Sequence, residues 1–68
     1  MTAAIVRMAA NEVYDLVMAN TDTSQTYDPA RYGVSAADLV AQLRRELGVH
    51  KYFVNVNAAG KVVVHRLQ

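Results

Sequence analysis

The chain has 68 residues, 53% hydrophobic and 19% charged, with no cysteine and a formal net charge of +1. That length excludes a multidomain enzyme, and the missing cysteines exclude a disulfide framework or a thiolate zinc site. The balanced composition excludes disorder and the short apolar runs exclude a membrane span, while Met1-Thr2-Ala3-Ala4 does not open a secretion signal, so one cytoplasmic domain over residues 1–68 is expected.

In chain order, Val6, Ala9, Ala10, Val13, Leu16 and Val17 recur at helical spacing, with Arg7, Asn11, Glu12 and Asp15 off that stripe. The spacing predicts an amphipathic helix over residues 3–19, capped by Thr2 and stopped by Asn20-Thr21-Asp22. The stretch from Asn20 to Gly33 is polar, contains the only proline, and reads as a long loop. Within it, Asp28 followed by Pro29 is a capping acid before a first-turn proline, which predicts a single helical turn over Asp28-Pro29-Ala30-Arg31-Tyr32, closed by Gly33. Tyr27 and Tyr32 are expected to cover the edge of the core.

A second helix is predicted over residues 36–47. Ser35 is its N-cap, Asp38 favours the positive end of its dipole, and Gly48 is expected to end it in the left-handed conformation. Ala36, Leu39, Val40, Leu43 and Leu47 form its buried stripe, leaving Ala37, Asp38, Ala41, Gln42, Arg44 and Arg45 outward.

Residues 51–57 and 61–67 are expected to form an antiparallel hairpin, completing an α+β domain of two helices and a ribbon. Asn57-Ala58-Ala59-Gly60 fits a type I turn with a glycine bulge. That turn sets Asn57 against Lys61, Val56 against Val62, Val54 against Val64 and Phe53 against His65. One face then carries Val54, Val56, Val62 and Val64, assigned to the core. The other carries Phe53, Val63 and Leu67 among Asn55, His65 and Lys51, too apolar for a wetted surface. A lone ribbon also leaves both outer edges unpaired, so contact with another chain is expected there, unless the first helix or the loop folds over it.

Enzyme signatures are missing: the chain has no glycine-rich phosphate loop, metalloprotease helix motif or cysteine nucleophile. No cofactor or metal is expected, since His50 and His65 lack a third ligand in sequence, and Glu12 with Asp15 reads as a solvated helix face. Charge is polarised instead. Arg7 against Glu12, Asp15, Asp22 and Asp28 makes residues 1–30 acidic by −3, while the remaining residues carry +4. This asymmetry either turns a basic surface toward phosphate or an acidic partner, or simply draws the two halves of the domain together.

A helix presenting Gln42, Arg44 and Arg45, followed by a hairpin with Lys51, Lys61 and Arg66, has the dimensions of a duplex-DNA reader. The major groove admits one helix, glutamine and arginine can bond base edges bidentately, and flanking cations hold phosphates. The segment Lys51-Tyr52-Phe53-Val54-Asn55-Val56-Asn57-Ala58-Ala59-Gly60-Lys61-Val62, about a quarter of the chain, resembles the C-terminal hairpin of lambda-type Cro repressors. The resemblance implies a strand that mediates dimerisation, with Phe53 near the subunit contact, and a preceding recognition helix, residues 36–47, with Gln42 and Arg45 facing bases. Gly33-Val34-Ser35 is similar to the turn that introduces a recognition helix in helix-turn-helix and winged-helix proteins, although Pro29 stands where that motif carries a small residue.

Two functions follow as expectations. One is a homodimeric DNA-binding protein of transcription regulation, with Ser35, Gln42, Arg44, Arg45 and Lys61 at duplex DNA. The other is a non-enzymatic protein-interaction module, such as a small phage-type inhibitor or accessory protein, that associates through Phe53, Val63 and Leu67. Neither involves a membrane.

Overall fold

A computed structural model describes residues 4–67. Helix α1 spans Ala4–Ala19, strand β1 Ser24–Tyr27, helix α2 Ala36–Leu47, and strands β2 and β3 span Tyr52–Val56 and Val62–Arg66. Short 3-10 turns at Pro29–Tyr32 and Gly48–His50 flank α2. The α+β architecture is as expected, although Thr2 and Ala3, assigned to the start of the first helix, lie outside the described residues.

The boundaries of α2 coincide with those read from the sequence. Ser35 is extended (φ −77°, ψ 153°) and its hydroxyl accepts from the Asp38 amide at 3.1 Å, satisfying a first-turn donor. Asp28 caps the first 3-10 turn in the same manner, and Gly33 closes it at φ 71°. Gly48 departs from expectation. It stays right-handed (φ −57°, ψ −35°) and continues into a further 3-10 turn, and Lys51 takes the left-handed conformation instead, at φ 65°.

The polar segment between the helices is not merely a loop. It contains β1, which pairs antiparallel with β3 and makes a three-stranded sheet in the order β1-β3-β2. The expectation of a bare ribbon with two open edges is therefore corrected: β3 is central, with Val62 and Val64 buried between both neighbours. Gln25 and Tyr27 supply the inward positions of β1, and the Tyr27 hydroxyl donates to Gln25 Oε1. The strand follows from pairing and from that internal bond, since its residues carry no apolar alternation.

The hairpin has the expected register, Val56 against Val62, Val54 against Val64 and Phe53 against His65. Asn57 builds its turn, its Oδ1 accepting from the amides of Ala59 and Lys61, with Gly60 left-handed at φ 78°. Helix α1 lies against α2, which covers the inner face of the sheet. Ala9, Ala10, Val13 and Val17 meet Leu39, Val40, Leu43 and Leu47 over Val54, Val62 and Val64. Tyr27 and Tyr32 pack against the rim of this core, as expected. Two side chains assigned to the core are not in it. Leu16 lies at the margin of the α1 stripe and Val56 near the hairpin tip, and they are 50% and 38% exposed. No helix among the described residues is long and apolar enough to cross a membrane.

Candidate nucleic-acid interface

Helix α2 turns its leucines to the core and leaves Ala37, Asp38, Ala41, Arg44 and Arg45 exposed. Ala37 and Ala41 keep that surface shallow between the charged side chains. Arg44 Nε donates to the Val54 carbonyl at 3.0 Å, which holds the guanidinium at the junction of α2 and β2. This bond occupies one of the five guanidinium donors, and the two terminal nitrogens make no hydrogen bond or ion pair among the described residues. Arg45 likewise has no carboxylate partner among them.

The other members of the expected DNA-binding set are engaged. Ser35 Oγ serves the helix cap. Gln42 Nε2 donates to Glu46 Oε2 at 3.0 Å, one helical turn on, so an acid stands beside the amide. Lys61 forms an ion pair with Asp28 at 3.0 Å, which neutralises the cation at the hairpin tip. That pair holds the Asp28 carboxyl below its usual range, helped by the amide of Ala30. Arg66, also counted among the flanking cations, donates from Nη2 to the Asn20 carbonyl and ties β3 to the end of α1. The structure thus places Arg44 and Arg45 together on one surface, with Lys51 exposed nearby in sequence, and sets Gln42 and Lys61 against acids.

The outer face of the sheet consists of rows across β2, β3 and β1: Phe53, His65 and Ser24, then Asn55, Val63 and Thr26. Phe53 and Leu67, two of the three residues expected at an interface, are 51% and 49% exposed, and Val63, one row nearer the hairpin tip than Phe53, is half-buried. A shallow depression on this face is lined by Phe53, Asn55, Val56, Asn57, Val63 and His65.

The β2 edge is partly closed by side chains. The Asn57 and Lys51 bonds to β3 fix the alternation of the ladder, so Tyr52, Val54 and Val56 direct their backbone groups away from it. Arg44 takes the Val54 carbonyl and Asn55 Oδ1 takes the Val56 amide. The Arg44 contact escapes a reading of the sequence, because a side-chain donor aimed from a helix at a strand edge depends on how the helix is placed over the sheet.

The two histidines serve different surroundings. His50 meets Tyr14 of α1 through Nε2 and the tyrosine hydroxyl at 3.2 Å, and His65 lies on the outer face opposite Phe53. No group of three or more His, Cys, Asp or Glu side chains suited to a metal ion occurs among the described residues. No protein-family model matches the chain, and comparison with curated proteins and with solved structures finds no match.

Proposed function

We propose that the chain is a small, non-enzymatic, cytoplasmic DNA-binding protein of transcription regulation that lays α2 against the major groove of duplex DNA. The observation that carries this reading is the pair Arg44 and Arg45 on the exposed side of α2 without carboxylate partners among the described residues. Their neighbours Ala37 and Ala41 permit close approach of the helix to a groove. The anchored Nε of Arg44 reduces the freedom lost when its terminal nitrogens bond a phosphate or a guanine edge. Gln42 contributes a base contact once it releases Glu46, and Lys61 a phosphate contact only in exchange for Asp28. Ser35 acts through the helix cap.

The layout supports the same reading by analogy. The element order sets α2 directly after the Gly33-Val34-Ser35 turn and before the ribbon, as the likeness of that turn to helix-turn-helix and winged-helix proteins implies, with a single 3-10 turn at Pro29–Tyr32 where a motif helix is expected. Binding of labelled duplex DNA at low salt should weaken steeply as salt is added, and Arg44→Ala combined with Arg45→Ala should abolish it. An absence of association at low salt overturns the reading.

A second reading, association as a homodimer or with a larger protein through Phe53, Val63 and Leu67, is favoured by the exposure of Phe53 and Leu67. It uses the outer sheet face, on which these residues lie, while at the β2 edge the Val54 carbonyl and the Val56 amide are already engaged. Sedimentation across a range of concentrations, repeated with Phe53→Asp, tests it. A wild type that stays monomeric at every concentration and captures no protein partner removes it.

A further inference from the structure

The two edges of the sheet differ. At β2 the Val54 carbonyl and the Val56 amide are taken by Arg44 and Asn55. At β1 the Arg66 amide donates to the Thr23 carbonyl, and the antiparallel register carries that inward alternation on to Gln25 and Tyr27. Ser24 and Thr26 therefore direct their amides and carbonyls away from β3, and these backbone groups have no hydrogen-bond partner among the described residues. The open stretch is closed off on both sides. The Asp22 amide donates to Asn20 Oδ1, and the Asp28 carbonyl accepts from the Arg31 amide.

That pattern is complementary to itself. When β1 is paired antiparallel with a second β1 about an axis at Gln25, Ser24 of each copy lies opposite Thr26 of the other, and every open amide meets an open carbonyl. A register centred on Ser24 or on Thr26 sets an open residue against Asp22 or Asp28 instead, where the amide or the carbonyl is already used. The stretch from Thr23 to Tyr27 carries no charge, so two copies approach along it without like-charge contact, and the Ser24 and Thr26 hydroxyls meet across the pair. At the axis stands Gln25, a buried polar side chain whose Oε1 accepts from Tyr27 and whose Nε2 makes no hydrogen bond among the described residues. A foreign strand finds only two residues of open backbone, whereas a second copy adds two Ser–Thr contacts and a reciprocal pair of glutamine amides.

We infer that two copies of this chain join edge to edge through β1, in the Gln25-centred register, and form one continuous six-stranded antiparallel sheet with both helical layers on the same side. The twofold pairing satisfies the exposed edge of β1, and it gives a cysteine-free domain of 68 residues the additional burial that a small core lacks. This surface is separate from α2 and from the outer face bearing Phe53, and it serves whether or not α2 reads a duplex.

Sedimentation equilibrium across a range of concentrations tests this. Wild type should form dimers. Ser24→Lys with Thr26→Lys sets like charges opposite one another across the axis at two exposed positions, and should weaken the dimer about ten-fold. Ser24→Glu with Thr26→Glu should do the same. An equimolar mixture of the two double variants should regain a dimer at least as tight as the wild type, a recovery that a folding defect in either cannot produce. Phe53→Asp should still dimerise. Hydrogen exchange supplies a second readout: the Ser24 and Thr26 amides should slow as concentration rises, with no change at the Val56 amide, which Asn55 already holds. A wild type that stays monomeric, a dimer indifferent to the paired lysines, or a mixture that fails to recover overturns the inference. So does a dimer lost in Phe53→Asp, which assigns the contact to the outer face.

Discussion

Arg44 on α2 donates from Nε to the backbone carbonyl of Val54 on β2 at 3.0 Å, so one side chain belongs both to the exposed basic surface and to the edge of the sheet. Truncation should therefore have two effects that truncation of Arg45 lacks. Arg44→Ala frees the Val54 carbonyl for pairing with another strand and removes a helix-to-sheet tie. The expected outcome is a stability loss of about 1 kcal/mol and greater self-association at high concentration, read by thermal melts and sedimentation. Arg45→Ala should show neither, and equal behaviour of the two variants would mean that the Val54 contact contributes nothing.

Ser35 provides a second contrast. Its hydroxyl accepts from the Asp38 amide, so Ser35→Ala should cost about 1 kcal/mol. For a domain of this size that lowers the thermal midpoint by about 4–8 °C. Ser35→Asp should keep most of the stability, because a carboxylate caps equally well and favours the helix dipole. If Ser35 instead bonds phosphate, Ser35→Asp lowers duplex affinity more than Ser35→Ala does.

The glycines and Lys51 give predictions of opposite sign. Gly48 is right-handed, with nothing within 4 Å of an added Cβ, so Gly48→Ala should stabilise by about 0.4–1 kcal/mol through the unfolded chain. Gly60 has φ 78°, and Gly60→Ala should destabilise by about 1–2 kcal/mol despite equally open space. Lys51 holds φ 65° with a side chain attached, and Lys51→Val should cost at least as much. Chemical denaturation of the three variants checks the set, and a stabilising Gly60→Ala would contradict the turn geometry.

The same residues explain what was legible in the sequence. Helix α2 declares itself through a cap and an apolar stripe, both local. The hairpin register follows from Asn57 and Gly60, again local. Strand β1 was hidden because its inward positions hold Gln25 and Tyr27 rather than an apolar pair, and it exists through pairing with a strand about forty residues later. For the same reason the Asp28–Lys61 bridge could not be foreseen, since it needs β1 in place. The Gln42–Glu46 contact lies within one helix and was open to the i, i+4 rule. Gly48 misled because a glycine after a leucine stripe signals a left-handed cap, and the chain defers that conformation by three residues.

The Asp28–Lys61 bridge predicts the direction of an acid effect. Lys61 first, and the Ala30 amide second, lower the Asp28 pKa in the folded state. A depressed carboxyl pKa contributes stability above the unfolded value of about 3.9 and loses it as pH falls through the folded value. The difference between wild type and Asp28→Asn should thus be present at neutral pH and close in acid, well below the unfolded value. It should be smaller than the Ser35→Ala effect, because both partners of the bridge remain partly accessible to water. Thermal melts across the acid range measure it, and a gap that persists at the lowest pH would assign the effect to the cap alone.

Tyr27 and Gln25 give the last prediction. Gln25 is buried on the inner face of β1, and the Tyr27 hydroxyl donates to its Oε1. Tyr27→Phe removes that donor while keeping the ring, and an acceptor left without a partner in a dry setting costs about 1–3 kcal/mol. Gln25→Leu combined with Tyr27→Phe removes both halves of the bond and should recover most of the loss, since the cost lies in the unpaired group rather than in the missing bond. Burial first, then the neighbouring Tyr32, raise the Tyr27 pKa above 10.0. Folding therefore favours the protonated phenol. That contribution is intact below the unfolded pKa and is lost as pH rises through the folded one, so the wild type should lose stability above about pH 10 by a margin that Tyr27→Phe does not show. Urea denaturation of the four proteins in the cycle, at neutral and alkaline pH, measures both effects. Additive losses in the double variant would place Gln25 and Tyr27 in separate environments and remove the explanation for β1.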